Sequence, residues 1–179
     1  MIKINELSIL MNLLSKKVNK YQIGSTKTQI LSFLNLDPKK DNHYFQELIV
    51  QLSNYIKPLG LYIRYNPIDN HWYIGHDFIT SNLLSANPFE DKPKLAATLF
   101  CVLVCCLTNT GNSKINEIKN LRNKKGIIKD LKDLEEMGYV EINEKLNEVK
   151  LTSLVGYQLD IQKLFTKLTL KLKKDKKDI

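Results

Sequence analysis

A mainly helical chain with small β-hairpins, an α+β fold, follows from three features of the sequence. Apolar residues recur at intervals of three and four along most of its length. Two runs rich in aromatic and β-branched residues, 61–75 and 139–153, each fold back around a polar turn. The order of three helices and then a hairpin occurs twice, which is the order of a winged helix-turn-helix. The predicted architecture is therefore tandem winged helix-turn-helix domains. Residues 1–78 form the first, 79–91 a linker, 92–165 the second and 166–179 a Lys-rich tail.

The elements of the first half follow in order. "INELSILMNLLSKKV" places Ile4, Leu7, Leu10, Met11 and Leu14 on one helical face. "STKTQILSFLNL" opens a second helix, with Ser25 or Thr26 as N-cap because either side-chain oxygen can accept from a free backbone N–H. A turn around Asp37-Pro38 leads to a third helix, Tyr44 to Ile56. Its apolar stripe is Phe45, Leu48, Ile49, Leu52, Tyr55 and Ile56, and Pro58 and Gly60 end it. "LYIRYNPIDNHWYIG" supplies the hairpin.

In the second half, residues 92–107, 115–121 and 124–137 are the expected helices, the last ending at Gly138. "YVEIN" and "NEVKLTS" form a hairpin around a polar turn near Glu144-Lys145, and "LDIQKLF" offers a short closing helix. "ITSNLLSANPFEDKP" reads as the linker, being small, polar and twice interrupted by proline.

Composition narrows the function classes. The start is an amphipathic alternation rather than a secretory signal. The most apolar run, Leu95 to Leu107, is shorter than the ~20 residues of a membrane span. Cys101, Cys105 and Cys106 lie in that run as core residues, which suits a reducing cytoplasm. The formal charge is +8, but the tail carries +4 of it, so the folded part has no large basic surplus. The seven glycines build no phosphate loop. His43, His71 and His76 read as surface or hairpin-tip residues without metal-ligand spacing. Glu135 and Glu136, adjacent on a helix, read as solvated charges. Neither a cofactor nor a catalytic constellation is expected.

Three stretches carry a family resemblance. "KPKLAATLFCVLVCC" looks like an opening of proline, basic residue and leucine before an apolar helix. "INEIKNLRNKKGIIKDLKDLEEMGYVEI" has Glu117, Ile118, Leu121, Arg122, Leu131, Leu134, Gly138 and Val140 at the family's positions. "LGLYIRYNPIDNHWYIGHD" looks like the first hairpin. In these the chain resembles ScpB, the small tandem winged-helix subunit of prokaryotic SMC condensin, and more broadly the kite proteins that bind kleisins. It departs at Asn123, where the family usually has glycine, at "DIQKLFTKL" and in the Lys-rich tail. The resemblance implies a cytoplasmic, chromosome-associated, non-enzymatic protein. It would dimerise through the first domain and bind an ScpA-like kleisin, and through it SMC, with the second.

Two surfaces follow as candidates. Leu7, Leu10, Leu14, Tyr62, Trp72 and Tyr73 offer apolar surface for a protein partner, since Tyr and Trp are enriched at interfaces. Lys124, Lys125 and Lys129, with Lys173 and Lys174 in the tail, are candidate DNA contacts. The helix 124–137 has zero net charge, and Asp130 and Asp133 would repel phosphate. Pairs such as Lys129–Asp133 and Lys132–Glu136 would explain its pattern without a ligand. The alternative function is a dimeric winged-helix transcriptional regulator.

Overall fold

The computed structural model describes residues 4–76, 88–109, 111–161 and 163–166. The α+β class is observed: helices dominate, with small antiparallel sheets. The chain divides into two compact units, Met1–Ala97 and Thr98–Ile179.

In the first unit, α1 (Ile4–Ser15) is followed by a small hairpin of β1 (Lys17–Asn19) and β2 (Gln22–Ile23). The expected first helix thus stops before Val18, because Ser15 turns its hydroxyl back onto the Met11 carbonyl and the chain reverses at Asn19. Then come β3 (Ser25–Thr26), α2 (Lys27–Phe33) and α3 (Asn42–Ile56). Thr26 is the N-cap of α2. Its hydroxyl accepts from the Gln29 N–H at 3.3 Å, and Gln29 Oε1 accepts from the Thr26 N–H at 2.9 Å. A 3-10 turn, Lys57–Leu59, closes α3 at Gly60 in the left-handed region. β4 (Leu61–Asn66) and β5 (His71–His76) complete a sheet of order β3-β5-β4.

The core of this unit joins Leu10, Leu13 and Leu14 of α1 to Ile30, Leu31, Phe45, Leu48, Leu52 and Ile56. Leu61, Ile63, Trp72 and Ile74 close it from the sheet. Strand alternation puts Ile63 opposite Ile74 and Tyr65 opposite Trp72 on that inner face. Met11 and Tyr55, expected in apolar stripes, are exposed instead. Tyr55 stands at the stripe's margin in the last turn of α3, where an amphipathic face meets water.

The second unit contains most of α4 (Pro93–Thr108), then β6 (Asn112–Lys114), α5 (Ile115–Arg122) and α6 (Ile127–Glu136). It continues with β7 (Val140–Asn143), β8 (Glu148–Leu151) and α7 (Ser153–Gln158). Its sheet has order β6-β8-β7, so the same topology appears twice. α6 starts at Ile127, not Lys124, because Gly126 at φ 88° caps it and Asn123 at φ 45° ends α5. Lys124 and Lys125 therefore lie in the turn between the helices. α7, directly after β8, is an additional helix; the residues of the expected closing helix follow it, and among them Ile161 and 163–165 are helical. Of the tail, residues 167–179 lie outside the described residues, as do 79–87 of the expected linker.

Both main hairpins use one device. Asn66 ends β4 and accepts the Ile68 N–H at 3.0 Å; Asn143 ends β7 and accepts the Leu146 N–H at 3.3 Å. Asn70 (φ 59°) and Asn147 (φ 54°) then adopt the left-handed conformation just before the returning strand. Asparagine suits both posts, since its side chain mimics a backbone turn and it tolerates positive φ. The spacing N-x-x-x-N is printed in "NPIDN" and "NEKLN" alike.

Candidate macromolecular interaction surfaces

The apolar candidates of the first unit are largely spent inside it. Leu10 and Leu14 are fully buried in the core, so they face no partner. Leu7 is half-buried against the same core. Trp72 packs edge-on to Phe45 at a centroid distance of 5.8 Å and lies 5.4 Å from Tyr65. Tyr73, on the opposite face of β5, is buried as well; a Cβ on Gly75 would meet its ring at 3.4 Å and the Arg64 stem at 3.6 Å. Tyr62 remains half-exposed on that outer face. The correction has one cause. A domain of this size has few ways to cover a three-stranded sheet, and its largest side chains are used first.

His71 also departs from expectation. It is buried, its Nδ1 lying 2.9 Å from the Asp69 carbonyl oxygen and 3.4 Å from Asp69 Oδ1, so it fixes the hairpin turn rather than facing water. Among the described residues, no group of three His, Cys, Asp or Glu is arranged to hold a metal ion. Burial pushes the Cys106 thiol up to about 11, with the neighbouring Cys105 adding to it, and burial also raises Cys101 and Cys105.

What the first unit does expose lies on α3. The outward side of that helix carries Gln46, Glu47, Val50, Gln51, Asn54 and Tyr55. Val50 is 56 % exposed and Tyr55 70 %, and Leu59 just beyond is 71 % exposed. α3 itself has no lysine or arginine. A phosphate backbone would find amide donors but no cation on it, whereas an apolar or neutral protein surface would find Val50, Tyr55 and Leu59.

The second unit presents a different face. Lys124, Lys125 and Lys129 are exposed, together with Lys119 at the end of α5 and Lys132 on α6. Lys173 and Lys174 lie outside the described residues. Neither Lys129–Asp133 nor Lys132–Glu136 closes into an ion pair. Asp130 is half-buried, its Oδ2 accepting from the hydroxyl of fully buried Thr98 at 2.7 Å. Arg122 Nε reaches the same hydroxyl at 3.4 Å. Glu135 is likewise engaged, accepting the Ile142 N–H of edge strand β7 at 2.8 Å. It is a strand-capping group rather than a merely solvated charge. The hairpin side is acidic: an open recess there is bordered by Glu135, Glu141, Glu144 and Glu148, with Lys145 and Lys150.

No family model and no curated protein matches the chain. The crystal structure of a conserved hypothetical protein from Chlorobium tepidum aligns over 84% of this chain and 93% of that chain, with a TM-score of 0.36 and 13% identity. Among the described residues, no helix is long and apolar enough to cross a membrane.

Sequence reasoning missed β3 and β6, the short strands that complete each sheet, and the roles of Asp130 and Glu135. The strands leave no composition signal at two or three residues. The signal for Asp130 was available in part: Thr98 is a lone hydroxyl in an apolar helix, and such a group needs a partner when buried.

Proposed function

We propose that each unit is a winged helix and that the chain is a non-enzymatic, ScpB-like subunit of an SMC complex. The first unit dimerises, the second binds a kleisin, and the assembly acts on chromosomes in the cytoplasm. The observation that carries this reading is the outward face of α3. In a DNA-reading winged helix the third helix enters the major groove and carries cationic or amide side chains beside phosphate contacts. Here it carries the amides Gln46, Gln51 and Asn54 but no lysine or arginine for the phosphates, and it exposes Val50, Tyr55 and, just beyond it, Leu59. Exposed aromatic and aliphatic side chains on a charge-poor helix suit protein docking. The repeated sheet order and the shared asparagine device support two domains of one kind.

The test is co-expression of the full chain with the kleisin encoded by the same genome. The expected result is co-purification and a dimer by light scattering at micromolar concentration. V50D/Y55D should shift that dimer to monomer while circular dichroism stays unchanged. A folded chain that is monomeric and binds no such kleisin overturns the reading.

A further inference from the structure

We infer that the helix pair α5–α6 is a docking site for the phosphate backbone of double-stranded DNA, independent of base sequence. Five lysines gather there: Lys119 in the last turn of α5, Lys124 and Lys125 in the turn between the helices, and Lys129 and Lys132 on α6. All five are exposed, and none is held by a carboxylate among the described residues. The sequence alone places Asp130 among them as an opposing charge. The structure draws it aside without removing its charge: Asp130 is half-buried with Oδ2 accepting from the Thr98 hydroxyl, Asp133 is half-buried as well, and the five exposed lysines outnumber these two carboxylates. Glu135, further along, is occupied with the β7 backbone.

The lysines also stand where folding alone does not favour them. The N-terminus of a helix carries a partial positive charge, so cations there are unfavourable unless an anion is bound. α6 has Lys124, Lys125 and Lys129 at that end, no side-chain cap, and Glu135-Glu136 at the other. Asp130 in the first turn is the one charge there that the dipole favours; the lysines around it outnumber it, and the two glutamates at the far end also stand against the dipole. A phosphodiester backbone laid against the turn relieves the unfavourable end and releases its own counterions.

The same residues leave only Lys129 and Lys132 on α6 as groups that could reach a base edge. α6 is "IIKDLKDLEE", without Arg, Asn or Gln to pair two edges of a base. The hairpin, with Glu141, Glu144 and Glu148, repels phosphate and directs the duplex to the α5–α6 end. Ile128 (42 % exposed) and Leu121 (52 %) lie between the lysines and touch sugar or water without selecting a sequence.

The experiment is fluorescence anisotropy of two labelled 20-base-pair duplexes of unrelated sequence, titrated with the full chain between 50 and 200 mM salt. If Lys124, Lys125 and Lys129 each neutralise one phosphate, they contribute a log–log salt slope of about −2.7, or roughly 40-fold in affinity over that range. K124Q/K125Q/K129Q should remove that part of the slope, equally for both duplexes, with a melting temperature equal to or above that of the wild type. K124R/K125R/K129R should bind as the wild type does. K173Q/K174Q/K176Q/K177Q measures the tail and should leave the α5–α6 share intact. The inference is overturned if the wild type fails to bind at 50 mM salt, if the slope survives the first variant, if the tail variant abolishes binding, or if one duplex is preferred more than tenfold.

Discussion

Replacing Thr98 by valine tests whether the second unit is organised around a buried hydroxyl. Thr98 is fully buried in α4, and its hydroxyl donates to Asp130 Oδ2 of α6 at 2.7 Å while Arg122 Nε of α5 approaches it at 3.4 Å. Three helices thus meet at one oxygen atom. Valine keeps the shape and removes the donor. A hydrogen bond to a charged acceptor contributes about 1.5–3 kcal/mol. Asp130 is only half-buried, so water replaces part of it, and the lower end of that range applies. The methyl that replaces the hydroxyl is itself buried and offsets about 0.8 kcal/mol. The net expectation is a loss of about 1 kcal/mol, a fall of roughly 4–8 °C in melting temperature for a unit of this size. Thermal and urea denaturation of the full chain by circular dichroism measures it. A double-mutant cycle with Asp130→Ala isolates the pair and should give a coupling of about 1 kcal/mol. A T98V protein as stable as the wild type, or additive effects in the cycle, would refute the reasoning. T98V should also free the Asp130 carboxylate toward the lysines and weaken duplex binding.

Three further outcomes follow from the first unit. Gly24→Ala should be severely destabilising, by about 2–4 kcal/mol, because Gly24 has φ 84° and an added Cβ would lie 2.0 Å from the Trp72 carbonyl oxygen. A red-shifted emission from Trp72, the single tryptophan, reads it out. Thr26→Ala removes half of the α2 capping box and should cost about 1 kcal/mol, seen as a lower urea midpoint. Tyr44 donates to Glu6 Oε2 at 2.6 Å, and that bond, with burial and the Glu6 charge, raises its pKa to about 12. A raised phenol pKa stabilises the fold fully below pH 10, and the contribution is lost as pH climbs through 10 to 12. Burial raises Tyr139 too, so absorbance titration should show more than one late tyrosine, of which one titrates earlier in Glu6→Gln; an unchanged titration argues against the bond in solution.

Much of the fold was legible because its causes are local. The helix stripes, the Thr26 cap, Gly60 and Gly138 as stops and the two hairpins all follow from side chains acting on their own neighbourhood. The N-x-x-x-N turns belong here too, though a reading by composition passes over them, since it weighs polarity rather than spacing. The interaction surfaces were less legible. Leu10, Leu14, Trp72 and Tyr73 announce apolar area, and nothing in the order of residues says whether it is consumed within the unit or left for a partner.

Sequence by itself determined the α+β class, the doubled order of elements, the placing of the cysteines in an apolar helix and the concentration of charge in the tail. Each depends on periodicity or count. Only the tertiary structure decided that Tyr55 and Val50 face water, that His71 does not, and that the Asp130 carboxylate is bonded to Thr98. Those outcomes depend on which residue, distant in the chain, fills the space across from each side chain. A carboxylate that looks like a free surface charge along the sequence is drawn half below the surface, where a buried hydroxyl 32 residues away donates to it.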